Sequence, residues 1–329
     1  MDGDTGGRAP RAVPPALRVP RLHRWDAPVS RRGVVAAATL GAVTVLAGCG
    51  LRLDLPPDPA PTPTRRPAPD ERYLLSVIAD LRDLVVSERR LVASGAAGTV
   101  VPTLLPLHER QVAVLVGRLT NDGVPTTAIP TSVPTAGPTG AGAATPAQLA
   151  TRLAALTPAD WTDLAAASAA TRELVAAAYG TRLAGAELLG RAVAVPATPS
   201  PAGPALVDRT APLVYAFEVV AAQSTGKTRE RALVTLSELR RLLEDVSSVA
   251  GATPDLPGGW ALPFPVTTPE GAARLATRTL STAVAAATDA AGQSPTGATL
   301  EDVARWSARV QSLATTWGVP LVAFPGTTA

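Results

Sequence analysis

The chain has 329 residues, 46% hydrophobic, 17% charged and only 3% aromatic, so it can bury a core of small aliphatic side chains. One Cys and two His exclude a disulfide framework, a Cys-rich zinc site and a histidine-rich metal centre. The excess positive charge sits in residues 1–48, with seven Arg against three Asp; the rest holds 23 basic and 24 acidic residues, without the basic stripe that nucleic acid needs.

Arg31 and Arg32 precede an apolar run, residues 33–46, that ends in Leu46-Ala47-Gly48-Cys49. A basic head, a short apolar stretch and small residues before a cut site describe an export signal peptide. Fourteen residues rising about 1.5 Å each reach roughly 21 Å, short of the roughly 30 Å of bilayer hydrocarbon. Ser30-Arg31-Arg32-Gly33-Val34-Val35 looks like a twin-arginine export motif. Leu-Ala-Gly-Cys resembles the bacterial lipobox. That resemblance implies removal of residues 1–48 and a diacylglycerol on Cys49, anchoring a lipoprotein at the extracytoplasmic face of the cell membrane. Residues 49–69 carry seven prolines from Pro56 to Pro69, the composition of an extended polyproline tether.

From Asp70 the pattern turns helical. Leu74, Val77/Ile78, Leu81, Leu84/Val85 and Leu91/Val92 recur at the spacing of one buried helix face. Ser94-Gly95 and Gly98 break it. A second helix is predicted over 101–119, with Leu104/Leu105, Val112, Leu115 and Leu119 inward, and Asn121-Asp122-Gly123 stops it. Residues 121–145, almost uncharged Thr, Pro, Gly and Ala, read as a loop. Thr145-Pro146 opens a short helix, and Thr157-Pro158 opens a long one running to Gly190.

Residues 193–204 (VAVPATPSPAGP) read as a linker. Further helices are predicted over 205–224, 228–249, 268–291 and 300–317. Thr268-Pro269 with Arg274-Leu275-Ala276 echoes Thr145-Pro146 with Arg152-Leu153-Ala154. The expectation is an all-α protein of two four-helix-bundle units, 70–192 and 205–326.

Tyr215-Ala216-Phe217-Glu218, Trp260-Ala261-Leu262-Pro263-Phe264-Pro265-Val266 and the closing Phe324-Pro325-Gly326 carry a family resemblance. The second unit resembles a ferritin-like domain family of unknown function, found in lipoproteins of high-GC, Gram-positive bacteria. Members commonly have a His-Arg-x-Arg-Arg run in the second helix; here Ser237-Glu238-Leu239-Arg240-Arg241 stands there, without the histidine. The single Lys227 against 29 Arg fits a high-GC source.

Little catalytic chemistry is legible. A di-iron bundle needs Glu-x-x-His pairs, and the sequence contains none. His108 is the sole imidazole after the leader, so no metal site, cofactor or catalytic residue is expected. Two polar pairs fall on helix seams. Glu88 and His108 would meet across a hairpin with Arg172 or Arg182 nearby, as either a proton- or metal-linked pair or a structural contact. Glu218 with Arg240 or Arg241 would form the corresponding pair in the second unit, and Glu218→Ala would then lower stability by stranding an arginine. The expected role is non-catalytic binding or assembly at the cell envelope, with an envelope protein as partner. Carriage of an apolar ligand between helices and a degenerate ferritin-like metal enzyme are the alternatives.

Overall fold

The computed structural model describes residues 65–131, 145–195, 199–251, 256–289, 291–292, 294 and 296–327. Arg31, Arg32 and Cys49 lie outside these residues, as does most of the Pro-rich tether.

Among the described residues the chain is all helical. Helix α1 (Glu71–Ala93) buries Leu74, Val77, Ile78, Leu81, Leu84, Val85 and Leu91, as its periodicity requires. It pairs with α2 (Val101–Asn121), which starts with Pro102 in its first turn. Two short helices follow, α3 (Pro146–Ala154) and α4 (Pro158–Ala166), and both Thr-Pro starts are capping boxes. The Thr145 hydroxyl accepts from the Gln148 N–H and the Thr157 hydroxyl from that of Asp160, satisfying amides that helix starts leave open. Then come α5 (Ala169–Leu188), α6 (Gly203–Gln223), α7 (Gly226–Ala250), α8 (Pro269–Ala285) and α9 (Gly297–Thr315).

Three local expectations change. The single helix predicted over 157–190 is two helices, because Ala167 and Ser168 are extended. There the Ser168 N–H leaves helical bonding and donates to the Asp70 carboxylate at 3.0 Å. The stretch read as a loop contributes to the core, through a 3-10 turn (Thr126–Ala128) flanked by buried Val124 and Ile129. Two branched apolar residues among small polar ones give no periodicity to read. Finally, α8 stops at Ala285, where the Arg209 guanidinium donates to the Ala286 carbonyl. Beyond it Thr288 donates to the Pro325 carbonyl at 2.7 Å, tying the Phe324-Pro325-Gly326 terminus down.

The hairpins α1–α2 and α6–α7 lie in different halves of the sequence, and α5 packs lengthwise on α9 between those halves. One continuous core results, to which the expected linker adds Val193, Val195 and Ala202. The described residues form one compact unit. No helix among them is long and apolar enough to cross a membrane.

Ser200 fastens that connecting stretch to α9 by donating its hydroxyl to the buried Asp302 carboxylate. Burial raises the Asp302 pKa to about 6, against the opposing pull of the Ser200 bond. The folded chain therefore holds this proton more tightly than the unfolded chain. The group's contribution to stability must fall as pH rises from about 4 to about 6, and stay low above that. Comparing urea midpoints at about pH 4 and about pH 7, Asp302→Asn is expected to lose much less stability than the parent across this interval. An identical pH slope in both proteins would show that Asp302 does not hold the proton.

Candidate functional site

Two places concentrate chemistry: a polar pair buried in the first hairpin and a cavity in the second. In the first hairpin, Glu88 follows Leu84 and Val85 on the α1 seam, and His108 follows Leu104 on the α2 seam. Antiparallel pairing brings them together, with Glu88 Oε1 2.7 Å from His108 Nδ1 and both side chains fully buried. On the outside of the same turn, Arg89 bridges to Glu109 at 2.7 Å. Among the described residues Glu88 Oε2 and His108 Nε2 find no hydrogen-bond partner, and neither does Gln111 Oε1 one turn along α2. The Gln111 amide donates across the molecule to the Ala323 carbonyl at 2.6 Å.

The arginines expected beside this pair are engaged elsewhere. Arg182 donates to the Leu153 and Arg152 carbonyls at 2.9 and 2.7 Å, closing the end of α3. Arg172 donates to the Ala167 and Gly292 carbonyls, spanning the α4–α5 break. Both serve helix ends, where carbonyls lack intrahelical donors. Nearby, burial raises the pKa of Tyr73 and of Tyr179, the latter to about 12, and their hydroxyls lie 3.3 Å apart. Among the described residues no three His, Cys, Asp or Glu side chains gather as metal ligands would.

In the second hairpin Glu218 pairs with Arg240 at 2.7 Å, whereas Arg241 turns to Glu238 on its own helix. Both partners of the Glu218–Arg240 bridge are about half exposed, at 46% and 55%. Water replaces a lost partner there, which corrects the expectation that Glu218→Ala strands a buried charge. The substitution is expected to cost less than about 1 kcal/mol in chemical denaturation. A loss several times larger would mean that the bridge is shielded.

The cavity lies between α6, α8 and a non-helical strap, residues 256–266, and measures about 450 Å³. Strap residues alternate: Leu256, Leu262, Phe264 and Val266 pack on the core, while Pro257, Ala261, Pro263 and Pro265 face out. Pro257, Pro263 and Pro265 remove amide donors from the segment and keep it out of helix. Rings do the fastening, with Trp260 5.7 Å from Tyr215 and Phe264 under the Arg274 guanidinium at 4.4 Å. Pro212, inside α6, lines the cavity, and its missing N–H leaves the Asp208 carbonyl without its helical donor. Trp306 closes the floor, its indole N–H donating to the Thr210 hydroxyl at 2.8 Å. A cleft at the start of α1, of about 560 Å³, is edged by Asp70, Glu71, Arg72 and Asp163 and lacks such apolar walls.

The sequence reading singled out Trp260–Val266 without seeing a cavity. The alternation of apolar residues with proline was the available signal. No family model, curated protein or solved structure matches this chain.

Proposed function

We propose that this chain is a lipid-anchored, extracytoplasmic helical-bundle protein with a non-catalytic binding role, holding an apolar ligand between α6 and α8. One observation carries the binding role: a cavity of about 450 Å³ with apolar walls, inside the size range of small-molecule sites. Anchoring rests on Cys49, the lipobox-like residues before it and the Pro-rich stretch after it. At the finer level of fold, the two halves are read as related four-helix-type units, with α4 and α5 together standing for one element of the first, and the second ferritin-like. Supporting this, each half opens with a hairpin crossed by a glutamate pair, Glu88–His108 buried in the first and Glu218–Arg240 half exposed in the second.

Mass spectrometry under native conditions, on protein extracted from membranes, is expected to find a stoichiometric apolar molecule. Its absence from every preparation, with no binding of added apolar compounds, would remove the carrier reading. Cys49→Ala is expected to shift the protein from membrane to soluble fraction, and retention after carbonate washing would place the anchor elsewhere. A second reading, an envelope protein partner, draws on Leu233 and Val234, neighbours on α7 that are 49% and 65% exposed.

A further inference from the structure

We infer that the ligand of the α6–α8 cavity is a single-chain amphiphile with an anionic head, its tail on the apolar walls and its head at Arg278. This rests on the carrier reading above and names the chemistry of the same site.

Charge at the rim selects the head. Two arginines, Arg209 and Arg278, are among the lining residues of a mostly apolar cavity. Arg209 is already engaged, donating to the Ala286 carbonyl and lying 3.8 Å from the Asp289 carboxylate. Arg278 makes no hydrogen bond or ion pair with any described residue. On α8 it stands one turn beyond Arg274, whose guanidinium is taken up by the Phe264 ring. Cations four residues apart on a helix repel, so this arrangement costs the free protein energy that an anion would recover. Thr279 and Thr282 line the same cavity, and a hydroxyl can donate beside the arginine.

Size and access select the tail. About 450 Å³ lies toward the lower end of small-molecule sites, which suits one acyl chain better than two. The strap admits it, because residues 256–266 make no backbone hydrogen bond to any described residue and are held by side chains alone. Lifting the strap thus breaks ring and aliphatic contacts without leaving buried amides unpaired.

The test titrates full-length protein with laurate, lauryl alcohol and lauryltrimethylammonium below their micelle concentrations, read by calorimetry. Laurate is expected to bind about tenfold more tightly than the alcohol, as a charge-assisted hydrogen bond allows. The cation is expected to bind weakest. Arg278→Ala, on an exposed position, should remove the laurate advantage, bringing laurate to about the affinity of the alcohol for the same variant. Ala283→Trp, which fills the cavity, should abolish binding of both while the helical circular-dichroism signal is retained. Equal affinity for laurate and alcohol, or preference for the cation, would overturn the anionic head and leave the carrier reading standing. No binding of any of the three would overturn both. Laurate binding that survives Ala283→Trp would place the ligand outside the cavity and likewise overturn both.

Discussion

Replacing Glu88 alone by leucine is expected to destabilise the protein by about 1–3 kcal/mol, measured as a lower urea midpoint with an unchanged slope. The reason is what it leaves behind. His108 is fully buried, and among the described residues Glu88 Oε1 is the one partner its ring nitrogens have, so the variant strands an imidazole inside the hairpin. Removing both partners differs in kind. Glu88→Leu with His108→Phe is expected to lie within about 1 kcal/mol of the parent, since an apolar pair of similar volume carries no desolvation cost. The double variant should therefore be more stable than the single one. If Glu88→Leu were neutral by itself, the pair would not be the contact that holds this seam.

Gly203→Ala is expected to cost about 3 kcal/mol, a large effect for one methyl group. A Cβ at Gly203 would lie 2.4 Å from both Cα and N of Ala250, so the start of α6 must move off the end of α7. Backbone atoms cannot rotate aside as a side-chain end can. Gly117→Ala reverses the sign. It lies within α2 and a Cβ there meets nothing within 4 Å, so the change should stabilise by up to about 1 kcal/mol through helix propensity. Thermal or urea denaturation of the two variants side by side reads both signs. Tolerance of Gly203→Ala without loss would mean that α6 and α7 do not approach so closely.

Much of the helical plan was legible because it is local. Thr145-Pro146 and Thr157-Pro158 announce helix starts, since the hydroxyl that caps and the ring that suits a first turn are adjacent in the chain. Glu88 and His108 could be paired on paper for a related reason. Each lies on a 3.6-residue seam of a helix, and the short turn between the helices fixes which seams face. The break between α4 and α5 was hidden, because its stabilising acceptor, Asp70, is remote in sequence from Ser168.

By itself, then, the amino-acid order determined most of the helices and their buried faces, set by neighbours a few residues apart, and offered the polar pair of the first hairpin, which a short turn brings face to face. Only the tertiary structure decided that Arg182 closes the end of α3 and that Arg172 reaches the Gly292 carbonyl instead of joining that pair, because those carbonyls come from other segments. It likewise decided that α5 rests on α9 and that a strap roofs a cavity between α6 and α8. Such contacts depend on how Ala- and Leu-rich faces choose among near-equivalent partners. That choice is made by the shape complementarity of distant surfaces, which periodicity does not encode.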